Sequence, residues 1–275
     1  VKAVIAAVAN AGIELGQVLG IGIGIPGIMD RARGLVRYSP YFGWRNVDFA
    51  SAISATLGLP IFLENDVNTL TLAQQWFGHG RGIDHFAVVT VGRGIGSGYV
   101  LNGQFCHDAA GEIGHTTLMV GGPLCSCGKR GCLEALAADP AVVRDYQLIV
   151  GRTGLSLGDV VAAAESGDQH ARHLLSHAGM YLGVGIANLI NTLSPALIII
   201  SGEGLRGGEI RLDAMYQAIQ DYVFAGLADQ TRIVTEFIAD QTWARGAACV
   251  VLNELFKSPL VGQPDLIDRL VEKAV

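Results

Sequence analysis

The chain has no apolar run approaching the roughly 18 residues of a membrane span. Its apolar stretches are short and broken by Gly, Asp or Pro. Charge is scarce, at 16% of 275 residues, and leans acidic: 19 Lys and Arg face 25 Asp and Glu, for a net charge of −6 and a pI of about 5.6. Such a chain does not hold nucleic acid by itself, because phosphate contacts need clustered Lys and Arg. The cysteines are few and odd in number, five in all, with three inside one eight-residue stretch. That is a poor basis for a disulfide framework and a good one for a metal site, and free thiols imply a reducing cytoplasm. What is plentiful excludes disorder: half the residues are hydrophobic and mean hydropathy is +0.39. Glycine, at 37 residues, suits tight turns and close backbone approaches. The length suggests one or two domains.

The first residue is Val1, not Met, which implies processing or truncation upstream. Residues 1–11 are too short and carry too little charge for a signal peptide; Val4, Ile5, Val8 and Ile13 at helical spacing predict a helix. From there strand and helix alternate. Residues 18–25 (VLGIGIGI) read as a buried strand, with Asp30 to Gly34 as a hairpin turn before a short strand at 35–38. A helix is expected at 48–57, a strand at 60–63, a helix at 67–77 and a linker at 78–82. A buried strand at 86–91 follows, and Asn102-Gly103 marks a hairpin. Helices are expected at 140–150, 157–166, 168–193, 208–223 and 243–256, strands at 196–201 and 232–237, and a short amphipathic helix in the tail. The shared theme of strand, glycine turn, hairpin and helices suits two related α/β lobes around a cleft.

Cys125, Cys127 and Cys132 place three thiols on one glycine-containing loop, with His115 ten residues upstream of the first. Three thiolates and an imidazole are the set of a tetrahedral structural zinc site. Gly128 and Gly131 let the backbone curl, and Lys129 and Arg130 favour thiolate. Unliganded core thiols are the other reading for the trio; Cys249, and similarly Cys106, read as inert. Three carboxylates sit beside special geometry: Asp66 at a strand-to-helix junction, Glu112 three residues before His115, and Glu134 two residues after Cys132. Singly they read as a helix cap or first-turn charges. Together, with two of them tied to one metal loop, they suit a polyhydroxy ligand. Gly92, Arg93, Gly94 and Gly96 form a glycine-rich turn that leads into a strand, not a helix, which argues against a dinucleotide site; such a turn can be a plain hairpin or can present N–H groups to a phosphate. Arg31, Arg33, Arg37 and Arg45 read as a solvated hairpin face, with a phosphosugar contact as the other reading.

In order along the chain, Glu64-Asn65-Asp66-x-Asn68, Gly92-x-Gly-Ile-Gly, Gly111-Glu112-x-Gly114-His115 and Cys125-x-Cys127-Gly128-x-x-Gly131-Cys132-Leu133-Glu134 resemble the ROK family of bacterial sugar kinases and sugar-responsive repressors. The match runs from about residue 20 to residue 256. The resemblance implies a two-lobed actin-like α/β fold whose N-terminal part is missing here: an incomplete lobe over 1–82, a lobe with the zinc loop over 83–257, and a tail over 258–275. It implies sugar contacts by Asn65, Asp66, Glu112, His115 and Glu134, and structural zinc on His115, Cys125, Cys127 and Cys132. His115 would use one ring nitrogen for the metal and the other toward the ligand.

Kinases of this kind use the residue matching Asp66 as general base, with ATP and Mg²⁺. Four departures count against that chemistry here. The opening strand pair with its first phosphate loop is absent from the sequence. Arg93 stands where kinases usually have Thr, and Ser201-Gly202-Glu203-Gly204 replaces a Gly-Gly-Gly turn. Residues 40–44 (PYFGW) lack an Asn that many kinases direct at the sugar. The expectation is therefore a sugar- or phosphosugar-binding, oligomerising effector domain of a ROK-type repressor, as a homodimer or homotetramer. Its DNA contacts would come only through an N-terminal winged helix-turn-helix outside this chain. The alternative is a ROK hexokinase; a third reading is a zinc-stabilised domain with a vestigial pocket.

Overall fold

A computed structural model describes residues 1–107 and 111–256. The tail expected over 258–275, with its amphipathic stretch at 265–275, lies outside the described residues.

The larger sheet is built from β6 (Phe86–Val91), β7 (Ile95–Leu101), β8 (Gln104–Phe105), β9 (Leu197–Ser201) and β10 (Arg232–Glu236), in the order β10-β9-β6-β7-β8. β9 runs parallel to β6 and to β10, while β7 and β8 follow as antiparallel hairpins. Every residue of β6 and β9 is buried, as expected of unbroken apolar strands with both faces covered. One face packs into the main core with α4 (Leu133–Ala137), α5 (Asp139–Val150), α6 (Leu157–Glu165), α7 (Gln169–Leu193) and α8 (Gly208–Tyr222). Asn102 and Gly103, both at positive φ, make the tight β7–β8 turn that the Asn-Gly pair specifies.

The N-terminal half holds β1 (Ile21–Ile25) paired in parallel with β5 (Ile61–Asn65), and an antiparallel flap of β2 (Ile28–Asp30), β3 (Leu35–Ser39) and β4 (Trp44–Asp48). α2 (Phe49–Leu57) is capped by Asp48, which accepts from Ser51 N–H at 3.2 Å. α3 (Asp66–Phe77) and α9 (Asp240–Leu255) pack on each other and on β1. The alternating glycines of β1 have a steric reason: a Cβ at Gly22 would overlap the Ala247 carbonyl of α9.

Some expectations shift. The strand expected at 18–25 starts only at Ile21, and the helix expected from 243 starts at Asp240. β4 was not legible, because Arg45 and Asn46 interrupt any alternation and Asn46 has φ 50°. The helix α1 (Lys2–Asn10) forms, yet none of its residues is buried, so its apolar spacing does not mark a core face. No described helix is long and apolar enough to cross a membrane.

Candidate functional site

The loop from 116 to 132 is held by two isolated bridges, Thr117 with Cys132 and Leu124 with Arg130, and by backbone hydrogen bonds such as Cys125 N–H to Lys129 O at 2.8 Å. It brings ligand atoms of His115, Cys125, Cys127 and Cys132 within 4.8 Å of one another. Cys127 Sγ lies 3.6 Å from Cys132 Sγ, and Cys125 Sγ lies 3.5 Å from His115 Nδ1. A tetrahedral site with metal–sulfur bonds of about 2.3 Å and metal–nitrogen bonds of about 2.0 Å has edges of about 3.5–3.8 Å. The donor set therefore fits a metal ion. Burial and the adjacent Cys127 and Cys125 sulfurs push the Cys132 thiol up to about 12, a cost that a bound cation would remove.

The carboxylates radiate from this loop. His115 turns Nδ1 toward Cys125 and Nε2 toward Glu112, whose Oε2 is 3.7 Å away. Glu134, in the first turn of α4, accepts from Ser126 Oγ at 3.0 Å with one oxygen and from Ile95 N–H at 3.3 Å with the other. It thereby ties the metal loop to the start of β7. Burial raises the Glu112 pKa; neighbouring His115 opposes that rise, and the negative charges of Glu134 and Asp66 add to it.

At the β5–α3 junction the capping residue is Asn65, not Asp66. Asn65 Oδ1 accepts from Asn68 N–H at 3.2 Å, and its Nδ2 donates to Gly27 O at 3.1 Å. Asp66 is the first helical residue and takes Val67 N–H on Oδ1 at 2.9 Å. Burial raises its carboxyl pKa above the ordinary 3.8 despite that hydrogen bond, and nearby Glu203 adds to the rise. A raised folded value means a contribution to stability that is full below the unfolded pKa and is lost as pH rises through the folded one. Asp66→Asn, which mimics the neutral form, should therefore raise the melting temperature at pH 7, and the gain should vanish as the pH falls below about 4. A pH series of thermal melts checks this.

The turn at 92–94 joins β6 to β7, so the glycine-rich string is a hairpin with β7 already under way at Ile95. Glu203 folds over it. Its Oε1 accepts from Arg93 N–H at 3.3 Å, and a Cβ at Gly92 would sit 2.5 Å from Glu203 Cδ. The Arg93 guanidinium turns away from the turn and lies 4.6 Å above the Tyr41 ring, with Nη1 2.9 Å from Tyr41 Oη. Behind the turn, buried Arg211 clamps Asp139 Oδ1 at 2.6 Å, Gly204 O at 3.1 Å and Ala137 O.

The hairpin arginines do not form one solvated face. Arg37 pairs with Asp30 on the surface at 2.7 Å, and Arg45 covers Tyr38. Arg31 instead turns inward, with Nε 2.9 Å from Oε2 of buried Glu64. The sequence carried no sign of Glu64 and Arg31 as partners, because they stand far apart along the chain. Cys249 is fully buried, and burial pushes its thiol up to about 11, as suits an inert core residue.

A model of the ROK family matches residues 1–254. The chain is 34% identical over 252 residues to a glucokinase of Thermotoga maritima, covering 86% of this chain and 80% of that protein. It is 28% identical over 257 residues to a xylose repressor of Caldicellulosiruptor bescii, covering 88% of this chain and 64% of the repressor. Among solved structures, a ROK hexokinase from Thermus thermophilus matches with a TM-score of 0.79 and 30% identity, over 92% of this chain and 84% of that one. The fold is thus the two-lobed actin-like fold of the sugar kinases.

Proposed function

Because the chain belongs to the ROK family, whose relatives include both sugar kinases and sugar-named repressors, we propose that it is the sugar-sensing effector domain of a transcriptional regulator. The observation that carries this reading is Glu203. A turn of successive N–H groups is suited to a phosphate, yet here the Arg93 N–H already holds a carboxylate of the protein itself. A nucleotide phosphate would meet that negative charge and would have to displace it. The cation that could offset it, Arg93, is spent on Tyr41.

The sugar pocket remains suited to its ligand. Asp66 keeps Oδ2 for a hydroxyl, while Glu112, Glu134 and His115 offer further polar groups on a rigid loop. Zinc on His115, Cys125, Cys127 and Cys132 is structural in this reading and fixes where Glu112 and Glu134 stand. Sugar bound between the lobes favours the closed cleft by its differential affinity for that state. DNA would be contacted by a segment outside this chain, and homo-oligomerisation through this domain completes the proposal.

A second reading, a hexokinase, is favoured by the 34% identity to a glucokinase and by the raised pKa of Asp66, which suits a general base. Titration calorimetry with the ATP analogue AMPPNP and Mg²⁺ separates the two. The regulator reading expects sugar binding without nucleotide binding, and nucleotide binding gained on Glu203→Gly. Tight nucleotide binding by the unsubstituted protein favours the kinase.

A further inference from the structure

Glu64 directly precedes Asn65 and Asp66 and is 2% exposed, so its charge needs close partners. Its two oxygens divide the work. Oε1 accepts from Asn65 N–H at 2.9 Å and from Asn68 Nδ2 at 2.9 Å, the two residues that shape the first turn of α3. Oε2 faces the other way, 2.9 Å from Arg31 Nε and 3.3 Å from His107 Nδ1. Asn253 Nδ2 donates to His107 Nε2 at 3.0 Å, which leaves the imidazole proton on Nδ1, toward Glu64. Arg31 Nη2 also donates to Glu254 Oε1 at 2.6 Å. One buried carboxylate thus joins the β2–β3 turn, α9 and His107 to the residues proposed to meet the sugar.

Resting on the sugar-site reading above, we propose that Arg31 is a positioning residue of that site: by neutralising the far oxygen of Glu64 it leaves the near oxygen to hold Asn65 and Asn68, and so fixes where Asp66 presents its carboxylate. The contact between Arg31 Nε and Glu64 is an ion pair lying off the hydrogen-bonding direction, so charge rather than a directed bond is what Arg31 supplies. Without it, Glu64 must take up a proton or turn toward water. Either response withdraws a full negative charge from the Asn65 N–H and the Asn68 amide. Arg37, on the same hairpin but paired with Asp30 at the surface, has no such route to the site.

The test compares Arg31→Met, Arg31→Lys, Arg37→Ala and the double variant Arg31→Met with Glu64→Gln. Two readouts are used: calorimetric titration with D-glucose, D-xylose and N-acetylglucosamine, and amide hydrogen exchange across 64–68 in the sugar-free protein. Arg31→Met should weaken sugar binding at least tenfold and speed exchange at Asn65 and Asn68. Arg31→Lys, the milder change and the deciding one should Arg31→Met not fold, should lie between it and the unsubstituted protein. The double variant should recover part of the affinity, since a side-chain amide in place of the Glu64 carboxylate needs no counter-charge and keeps an oxygen on the same two donors, as a neutral and weaker acceptor. Arg37→Ala should change neither readout. Arg31 variants with unchanged exchange and unchanged titration would overturn the proposal, as would a double variant no better than Arg31→Met. Should the unsubstituted protein take none of the sugars, the ligand reading fails, and exchange at Asn65 and Asn68 still decides the role of Arg31.

Discussion

Cys132→Ala should empty the metal loop and loosen the carboxylate fan with it. Cys132 is fully buried, precedes α4 directly and pairs with Thr117, so it is the point where the loop joins the core. The rest of the loop is held by backbone hydrogen bonds and two isolated bridges rather than by a large apolar core. Between 116 and 132 there is no helix or strand, and the loop's buried Cys125 and Cys132 cluster with Ala135 of α4. A cation bridging the four proposed ligands would then be a strong cross-link, and its binding energy would be folding energy for the segment. Loss of one ligand should cost several kcal/mol and lower the melting temperature by about 10 °C in a chain of this size. Metal analysis should fall from about one zinc per chain to near none, and sugar affinity should fall as Glu112 and Glu134 lose their anchors. Treating the unsubstituted protein with a strong chelator should reproduce all three changes. A variant that melts like the parent would remove the structural role.

Arg211→Met should be nearly as damaging, and without any metal being involved. Arg211 is 1% exposed and answers three acceptors: Asp139, Gly204 and Ala137. Removing the cation leaves the Asp139 carboxylate uncompensated at the α4–α5 junction, where breaking a buried pair costs about 3–5 kcal/mol. The damage should reach the glycine turn, because Asp139 N–H donates to Gly92 O at 2.9 Å and Gly204 adjoins Glu203. Arg211→Lys should recover only part of the loss, since one ammonium cannot span all three acceptors. Pairing Arg211→Met with Asp139→Asn should recover more, by removing the orphaned charge. Urea unfolding of the four proteins measures these differences.

The parts of the molecule that were legible in the sequence share a cause: their signals are local. The β6 and β9 strands announce themselves as unbroken apolar runs, and the Asn102-Gly103 turn by its two residue types. The cysteine loop does so by its spacing, because a metal loop needs its ligands close in sequence. The unpredicted parts rest on contacts between distant residues. Nothing around Arg31 distinguishes it from Arg33 or Arg37 until β5 brings Glu64 beneath it. Arg211 lies in α8 between Ile210 and Leu212, and two of its three partners, Asp139 and Ala137, are 72 and 74 residues away. The assignment of the helix cap to Asn65 over Asp66 turned on a single residue, the usual margin at a helix end. Glu203 was legible as an oddity of sequence; that its carboxylate reaches the Arg93 N–H depended on the fold.

The claim that most needs testing is that this scaffold senses a sugar without phosphorylating it. The direct measurement is a coupled ADP-release assay with ATP, Mg²⁺ and a panel of hexoses and pentoses, run on the chain together with whatever its gene encodes upstream. Sugar binding is confirmed by calorimetry on the same preparation. Phosphoryl transfer depends on placing and neutralising the nucleotide phosphates, and the Glu203 carboxylate on the turn at 92–94 opposes both. Sugar-dependent heat with no sugar-dependent ADP release above background is the expected result. Robust turnover by the unsubstituted protein would contradict it and make the chain a sugar kinase.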